Sequence, residues 1–458
     1  MNPGQKTLGR PLSRLLIASA IAAAFPAYAN DASEIEKLKA QIEELDQKLK
    51  VLGRKQELVN EDVAAKQKAA PTVTASDRGF GFKSQDGQFE YRLRGIIQTD
   101  YREFGGDAFP TAVDGFVARR IRPTFEGTVF GKYGFRFTPE FANAATDNTP
   151  TIIDAYLDIR EKPELQVRIG KHKPFVGLER LQSASDIKFI ERSFVSNNIL
   201  PNRDFGISVF GDVLDKRLNY AVGVFNGVVD GGNINTRSDV NNQKTFTARV
   251  FATPFINNTD SSLRGFGFGL ATTKGNVSSL PSYVAPGQAN TFFAYKSTTA
   301  TTTNGEQDRW SPQAYYYNGP LGLIYEYAWV NQPVKNGNST TTAKNTAWQL
   351  AGSWLLTGED ASFRGVKPYS RFQSGPEGGW GAFELVARYQ ENQIDEAIPN
   401  AFVPTSYALK ASGLAVGLNW YLNESSKFAV NYERTRLTGG TLDGKSENFL
   451  VGRYQLSF

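Results

Sequence analysis

The 458-residue chain has no cysteine and a single histidine, His172. Without cysteine it can form neither disulfides nor thiolate metal sites, and it has no thiol nucleophile. No stretch reaches the roughly 20 apolar residues that a membrane-spanning helix needs, and the apolar run at residues 15–25 is too short. Lysine and arginine number 51 against 46 aspartates and glutamates, so the overall charge gives no reason to expect a nucleic-acid partner.

The first residues have the pattern of a secretory signal. Lys6, Arg10 and Arg14 precede the apolar run, and Ala27-Tyr28-Ala29 follows it as a small-x-small cleavage site. We therefore predict a signal peptide at residues 1–29 and a mature chain that begins near Asn30. The three cations belong to the signal, which leaves the mature chain close to neutral.

The C-terminal segment alternates between apolar and polar residues up to the final residue. Tyr454, Leu456 and Phe458 fall on one face of a strand, and Arg453 and Gln455 fall on the other, as a strand between lipid and a wet lumen requires. Similar segments recur from residue 79 onward. We count sixteen: 88–102, 115–130, 131–141, 151–160, 165–171, 205–212, 218–226, 245–254, 264–272, 308–317, 321–330, 346–356, 380–390, 412–422, 427–436 and 447–458.

An even number of such strands predicts a closed antiparallel β-barrel in a bacterial outer membrane, because an open edge in lipid would leave backbone groups unpaired. A soluble β-sandwich is the alternative, and the signal peptide together with the terminal strand disfavours it. The predicted organisation is an all-β, sixteen-stranded barrel at residues 79–458 after a linker at 66–78. Segment 273–310 has no clear strand pattern.

Residues 30–65 have a different pattern. Apolar residues are spaced by three and four, as in roughly four heptads of a coiled coil, with Glu and Lys on the outer positions. We predict a periplasmic coiled-coil helix that self-associates, and the pattern leaves dimer and trimer open. A single amphipathic helix lying on the barrel or on lipid is the alternative. The stripe consists of Ile35, Leu38, Ile42, Leu45, Leu49, Leu52, Val59 and Val63.

The alternation assigns charged residues to the lumen of the barrel. Val117, Ile121, Phe125 and Val129 are expected to face lipid, whereas Arg119 shares their parity and is costly there unless it lies in a bulge, at the rim or against a neighbouring subunit. Carboxylates share the lumen parity with the arginines. The expected lumen arginines are Arg92, Arg94, Arg120, Arg122, Arg136, Arg160 and Arg168, and the acids are Glu90, Asp100, Glu126, Glu140, Asp154 and Asp158.

The segment 170–201 is too long for a hairpin turn and is rich in charge. If it folds into the lumen, Lys171, Lys173 and Arg180 approach the inward arginines and form a cationic constriction that favours anions. The alternative is a solvated external loop with paired charges.

Several motifs together resemble the phosphate-selective porin O and P family over residues 80–458. They are Leu93-Arg94-Gly95, Arg119-Arg120-Ile121-Arg122, Asp154-Ala155-Tyr156, Gly170-Lys171-His172-Lys173-Pro174-Phe175, Leu178-Glu179-Arg180, Glu191-Arg192-Ser193, Phe225-Asn226-Gly227 and Gly417-Leu418-Asn419-Trp420-Tyr421-Leu422-Asn423. The resemblance implies a homotrimeric sixteen-stranded porin that passes phosphate or polyphosphate. It places Arg119 and Arg120 on an arginine ladder, Lys171 or Lys173 with Arg180 at the constriction, and Asp154 as the acid there. Ile96 and Ile97 stand where a further arginine might be expected, and the coiled coil lies outside the core of the resemblance.

The expected function is thus a passive channel for phosphate or other small anions, with outer-membrane lipid around it. A general diffusion porin is one alternative, and a barrel whose coiled coil anchors it to peptidoglycan or periplasmic partners is another. An enzyme would need His172 for Ser-His chemistry, and no Gly-x-Ser-x-Gly motif accompanies it. No nucleotide-binding loop occurs, and the sequence calls for neither cofactor nor metal.

Overall fold

The computed structural model describes residues 32–77, 79–142, 150–233, 242–277, 279–296, 300–375 and 378–458. The predicted signal peptide at 1–29 lies outside these residues. The chain divides into two units, Met1–Ala70 and Pro71–Phe458.

The first unit contains helix α1, Ala32–Ala69. The predicted helix is confirmed and runs four residues further than the predicted segment 30–65. Ion pairs at i,i+4 follow its surface, with Lys48 Nζ 2.7 Å from Glu44 and Lys50 Nζ 2.7 Å from Asp46. Within the part of the chain that the structure describes, no helix is both long enough and apolar enough to cross a membrane.

The apolar stripe of α1 is exposed to solvent in the single chain, with Leu38 54% and Leu49 66% exposed. An isolated helix gains little from such a stripe, because most helical stability in proteins comes from burying the apolar face. The coiled coil therefore stays a prediction.

The second unit is almost entirely antiparallel sheet. Its strands are β1 (Thr72–Ser76), β2 (Gly79–Lys83), β3 (Glu90–Gly106), β4 (Gly115–Val129), β5 (Tyr133–Glu140), β6 (Thr151–Lys162), β7 (Leu165–His172), β8 (Asp204–Val213), β9 (Leu218–Phe225), β10 (Thr245–Ala252), β11 (Phe266–Gly275), β12 (Ser282–Val284), β13 (Thr291–Ala294), β14 (Thr301–Thr303), β15 (Gln307–Asn318), β16 (Leu321–Asn336), β17 (Ser339–Leu355), β18 (Ala382–Gln393), β19 (Lys410–Tyr421), β20 (Ser426–Thr438) and β21 (Ser446–Ser457).

Sixteen of these described strands form a closed barrel, in the order β3 to β11 and then β15 to β21. Each overlaps one of the sixteen predicted segments, so the predicted fold is confirmed. The seam is closed by β21 against β3, where Phe458 N–H donates to Gly95 O at 3.0 Å and Gly95 N–H donates to Phe458 O at 2.8 Å. Strands β1 and β2 extend the sheet beside β3, and β1 lies inside the segment 66–78 that was predicted to be a linker.

A β-bulge interrupts the pairing of β3 with β4. The ladder pairs Gln98 with Arg120 and Thr99 with Ala118, which leaves Arg119 as the extra residue. A bulge was one of the three arrangements that made Arg119 tolerable at this parity. The extra residue turns its side chain inward.

The bulge also reverses the face assignment of the residues before it. Val117 pairs with Asp100, whose side chain is fully buried in the lumen, and directly opposed residues share a face. The prediction that Val117 faces lipid is therefore wrong. Phe116, which is 82% exposed, takes the outer face and contacts Tyr101 at 5.0 Å between ring centroids.

Long loops at one end of the barrel pack into the lumen. One buried apolar cluster joins these loops to inward side chains of the wall such as Ala328. The connection between β7 and β8 contributes Phe194 and Ile199, β13 contributes Phe292, and the connection between β18 and β19 contributes Phe402. Apolar and polar side chains of these loops pack against the wall inside the lumen at this end.

Gly170 lies in β7, two residues before the strand ends, and has a backbone conformation that disfavours other residues. Its φ is +124°, and an added Cβ would overlap the backbone oxygen of Ala155 on β6. Gly452 in β21 is a matched control, because a Cβ there meets nothing within 4 Å.

We expect Gly170→Ala to lower the free energy of unfolding by more than about 1 kcal/mol, because alanine is strained at positive φ and has no room. Gly452→Ala should leave that energy nearly unchanged. Urea unfolding in lipid vesicles, followed by tryptophan fluorescence, measures both. Equal stability of the two variants would contradict the assignment of strain to Gly170.

Candidate functional site

Residues 173–203, here called the inner loop, connect β7 to β8 and lie within the barrel. The loop contains the short helix α2, Leu178–Leu181. The Glu326 carboxylate of β16 accepts the Leu178 N–H at 2.5 Å and the Glu179 N–H at 3.1 Å, so the wall satisfies backbone donors at the start of α2. This contact fixes one side of the inner loop.

The other side of the inner loop is held by Glu191. Its carboxylate lies 2.6 Å from Arg119 Nε, 2.9 Å from Arg102 Nη2 and 3.6 Å from Arg453 Nη2, and its side chain is 4% exposed. Burial opposes ionisation, but the guanidinium of Arg119 and the charge of Arg453 hold the pKa of Glu191 far below its usual range. The bulged Arg119 is therefore a partner of the loop.

Below the inner loop lies a cavity of about 1180 Å³. Its walls come from β3 to β10 and β15, from the underside of the inner loop and from the connection between β17 and β18. Among the described residues, eleven lysines and arginines line it against five carboxylates. The cations are Arg92, Arg94, Arg122, Arg136, Arg168, Lys173, Arg203, Lys216, Arg249, Arg364 and Lys367, and the acids are Asp77, Asp154, Asp186, Asp212 and Glu424.

Many of the wall arginines are paired with carboxylates across the strands. Arg122 Nε lies 2.5 Å from Glu140, and Arg168 Nε lies 2.7 Å from Asp158. Pairing fixes the direction of each guanidinium and reduces its net attraction for a passing anion.

Lys173 is held differently. Its ammonium donates to the backbone oxygens of Arg180 at 2.7 Å and Gln182 at 2.9 Å, and no carboxylate described in the structure lies within 4 Å of it. Burial, with the charges of Arg192 and Arg203, lowers the pKa of Lys173. In its protonated form this ammonium presents its positive charge at the cavity wall with neutral acceptors beside it.

Residues 89–458 match the sequence profile of a family described as phosphate-selective porin O and P. The chain belongs to this family. It is 24% identical to Porin O of Pseudomonas aeruginosa over an alignment of 437 residues. The alignment covers 85% of this chain and 93% of the relative. The predicted family is confirmed, and the chain is an outer-membrane porin, a channel rather than an enzyme.

Two solved structures illustrate the shared fold. The outer-membrane channel DcaP of Acinetobacter baumannii aligns with a TM-score of 0.51 at 15% identity, over 82% of this chain and 99% of that one. An anion-selective porin from Comamonas acidovorans aligns with a TM-score of 0.50 at 15% identity, over 81% of this chain and all of that one.

Five of the nine predicted site residues of this porin line the cavity: Arg92, Arg94, Arg122, Asp154 and Lys173. Asp154 pairs with Arg203 Nε at 2.8 Å.

The other four lie elsewhere. Arg119 contacts Glu191, and buried Arg120 donates to Gln98 Oε1 at 2.6 Å. Arg180 is buried behind the cavity wall and donates to Asn197 Oδ1 at 3.3 Å, and Lys171 donates to the backbone oxygen of Ile152 at 2.7 Å.

Some cavity cations outside the early strands were not predicted from the sequence, including Arg203, Arg249 and Arg364. The inward direction of Arg249 could have been predicted, because Phe246 and Val250 have the opposite parity and all three residues lie inside the predicted segment 245–254. Arg203 and Arg364 stand in connections, where no alternation assigns a face.

His172 is buried in the wall. Its Nδ1 lies 2.9 Å from Gly170 O and its Nε2 lies 3.0 Å from Ser208 Oγ, so the ring donates to the carbonyl and accepts from the hydroxyl. In the described part of the chain no carboxylate forms a hydrogen bond with either ring nitrogen. The contact serves packing and alignment of β7 with β8.

Glu191→Gln tests the anchor of the inner loop. Removing one member of a buried charge cluster leaves the others uncompensated, so we expect a loss of about 3 kcal/mol in unfolding free energy and larger fluctuations of single-channel current. Glu161→Gln is the control, because Glu161 pairs with Lys132 at 2.9 Å on an exposed turn and should contribute less than about 1 kcal/mol. Wild-type stability and quiet current in Glu191→Gln would contradict the anchor.

Proposed function

We propose that this porin passes small anions down their concentration gradient, with inorganic phosphate or polyphosphate among them. The main observation in its support is that, among the described residues, lysines and arginines outnumber carboxylates by eleven to five in the lining of the cavity. Membership of the phosphate-selective porin O and P family and the likeness to an anion-selective porin from Comamonas acidovorans support it.

The cations form a series of weak sites. Guanidinium groups can offer two parallel N–H donors to a phosphate oxygen pair, and Lys173 adds a point charge at the underside of the inner loop. Because most arginines are already paired with carboxylates, each site binds weakly enough for an ion to move on to the next. No bound energy source is required for such diffusion.

The glutamates and aspartates of the lumen favour a second candidate, a general diffusion porin. Pairs such as Arg136 with Glu126 and Arg168 with Asp158 neutralise part of the positive wall. Reversal potential in a chloride gradient across a planar bilayer separates the two candidates, since a weakly selective pore gives a potential near zero.

We expect Lys173→Gln to weaken both anion selectivity and block of the chloride current by phosphate. One unit charge at contact distance in water is worth about 1 kcal/mol, so block should need roughly fivefold more phosphate. Lys132→Gln is the control, because Lys132 lies in an exposed turn outside the cavity. If the reversal potential and the phosphate block stay at their wild-type values in Lys173→Gln, that lysine is not part of the pathway.

We also propose that α1 assembles the porin into a homotrimer through a coiled coil, in a membrane-embedded assembly surrounded by outer-membrane lipid. The exposed apolar stripe supports this, because eight large apolar side chains in a narrow a/d pattern bury best against copies of the same helix. Contact with peptidoglycan or periplasmic proteins is the competing role for the helix.

Leu45→Asp in the full-length porin should lower the melting temperature of the trimer, because it places a charge in the a/d seam. Gln47→Asp, two residues away at the outermost heptad position, should leave it unchanged. Native mass spectrometry against temperature measures both. A stable trimer in Leu45→Asp, with loss of envelope integrity in cells, would replace assembly by anchoring.

A further inference from the structure

The wall of the cavity formed by β10 and β15 combines an arginine with a row of aromatic rings. Strand β10 stands seven positions around the sixteen-strand barrel from β3. It contributes Arg249 and Phe251 to the cavity, and β15 contributes Tyr315. Phe363, from the connection between β17 and β18, completes this wall.

The guanidinium of Arg249 is held by neutral side chains. Its Nε donates to Gln313 Oε1 at 3.1 Å and its Nη1 donates to Asn219 Oδ1 at 3.3 Å, both neutral amides. Among the described residues, no carboxylate oxygen lies within 4 Å of the Arg249 guanidinium nitrogens. No described residue accepts a hydrogen bond from Arg249 Nη2. The Glu326 carboxylate is the acid that interacts with it through space, and it is already engaged by two backbone N–H groups of α2 and by Gln349.

Three aromatic rings continue from Arg249 along the same wall. The Arg249 guanidinium carbon lies 4.5 Å from the centre of the Phe251 ring. The ring centroids of Phe251 and Tyr315 are 5.1 Å apart, and those of Tyr315 and Phe363 are 5.7 Å apart. Leu178 of the inner loop and Ile324 of β16 pack against this row.

We propose that Arg249 and this aromatic row form a binding site for aromatic carboxylates that pass through the porin. The carboxylate would occupy the unpaired edge of the Arg249 guanidinium, and the ring of the solute would lie against Tyr315 and Phe363. The proposal rests on the proposed anion conduction and names a further solute class for the same lumen.

The physical reason is a difference between solutes. Inorganic phosphate has no apolar surface, so an aromatic row offers it nothing beyond the charge of the arginine. A ring carrying a carboxylate gains from both groups, because planar guanidinium binds carboxylate in a fork and offset ring contacts add to burial. Acetate has the carboxylate without the ring and is therefore the matched solute.

The experiment compares block of the chloride current by benzoate and by acetate in the full-length porin in a planar bilayer. We expect benzoate to block at roughly three- to tenfold lower concentration than acetate. Phe363→Ser should abolish most of that difference while acetate block stays the same. Arg249→Gln should weaken block by both carboxylates.

Arg217→Gln is the charge control, since Arg217 lies in a turn outside the cavity beside Asp215. Equal block by benzoate and acetate in wild-type porin would overturn this inference, whereas anion selectivity and phosphate block would still stand. Benzoate preference in a pore without anion selectivity would keep the aromatic site and remove the proposed phosphate function. If Arg249→Gln does not fold, the Phe363→Ser comparison decides alone.

Discussion

One buried carboxylate, that of Glu191, anchors the inner loop to the seam of the barrel through the arginines that surround it. Arg102, Arg119 and Arg453 come from three strands next to the seam. Arg102 and Arg453 also pair with Asp100 of the wall, whereas the carboxylate partner of Arg119 among the described residues is Glu191 of the loop. The loop could not bury the Glu191 carboxylate without these arginines, so loop and wall stabilise each other above the cavity.

This arrangement divides the arginines of the porin into two groups. Those near the loop, such as Arg119 and Arg120, form contacts within the protein and do not line the cavity. Those below it, such as Arg94 and Arg122, face the cavity. An arginine at the lumen parity is thus not automatically a solute site. Whether it serves the solute depends on which carboxylate or amide lies within reach, and that is decided by contacts between residues far apart in sequence.

The same reasoning explains what could be predicted from the sequence. The barrel strands were predictable because lipid on one side and water on the other impose a period of two on each strand. Strands β12 to β14 were not, because they pack among loops where neither face meets lipid. The bulge at Arg119 could be anticipated from a charge at the wrong parity, but its effect on Val117 needed the register. In the inner loop no sequence period constrains side-chain direction. The sequence therefore could not show that Lys173 lines the cavity and that Arg180 does not.

A porin must attract its solute without retaining it, and under the proposed anion conduction the two kinds of cation in this lumen would divide that task. Arg122 and Arg168 are paired with carboxylates, so they would provide shallow sites along the wall. Lys173 and Arg249 are held by neutral oxygens rather than by carboxylates, so they would be the deeper sites for an anion. Lys173 lies in the inner loop and Arg249 lies in β10, so an anion can bind one of them without binding the other. Of these two cations, Arg249 lies over the Phe251 ring at the start of an aromatic row, so solutes with a ring would pause there longer than solutes without one.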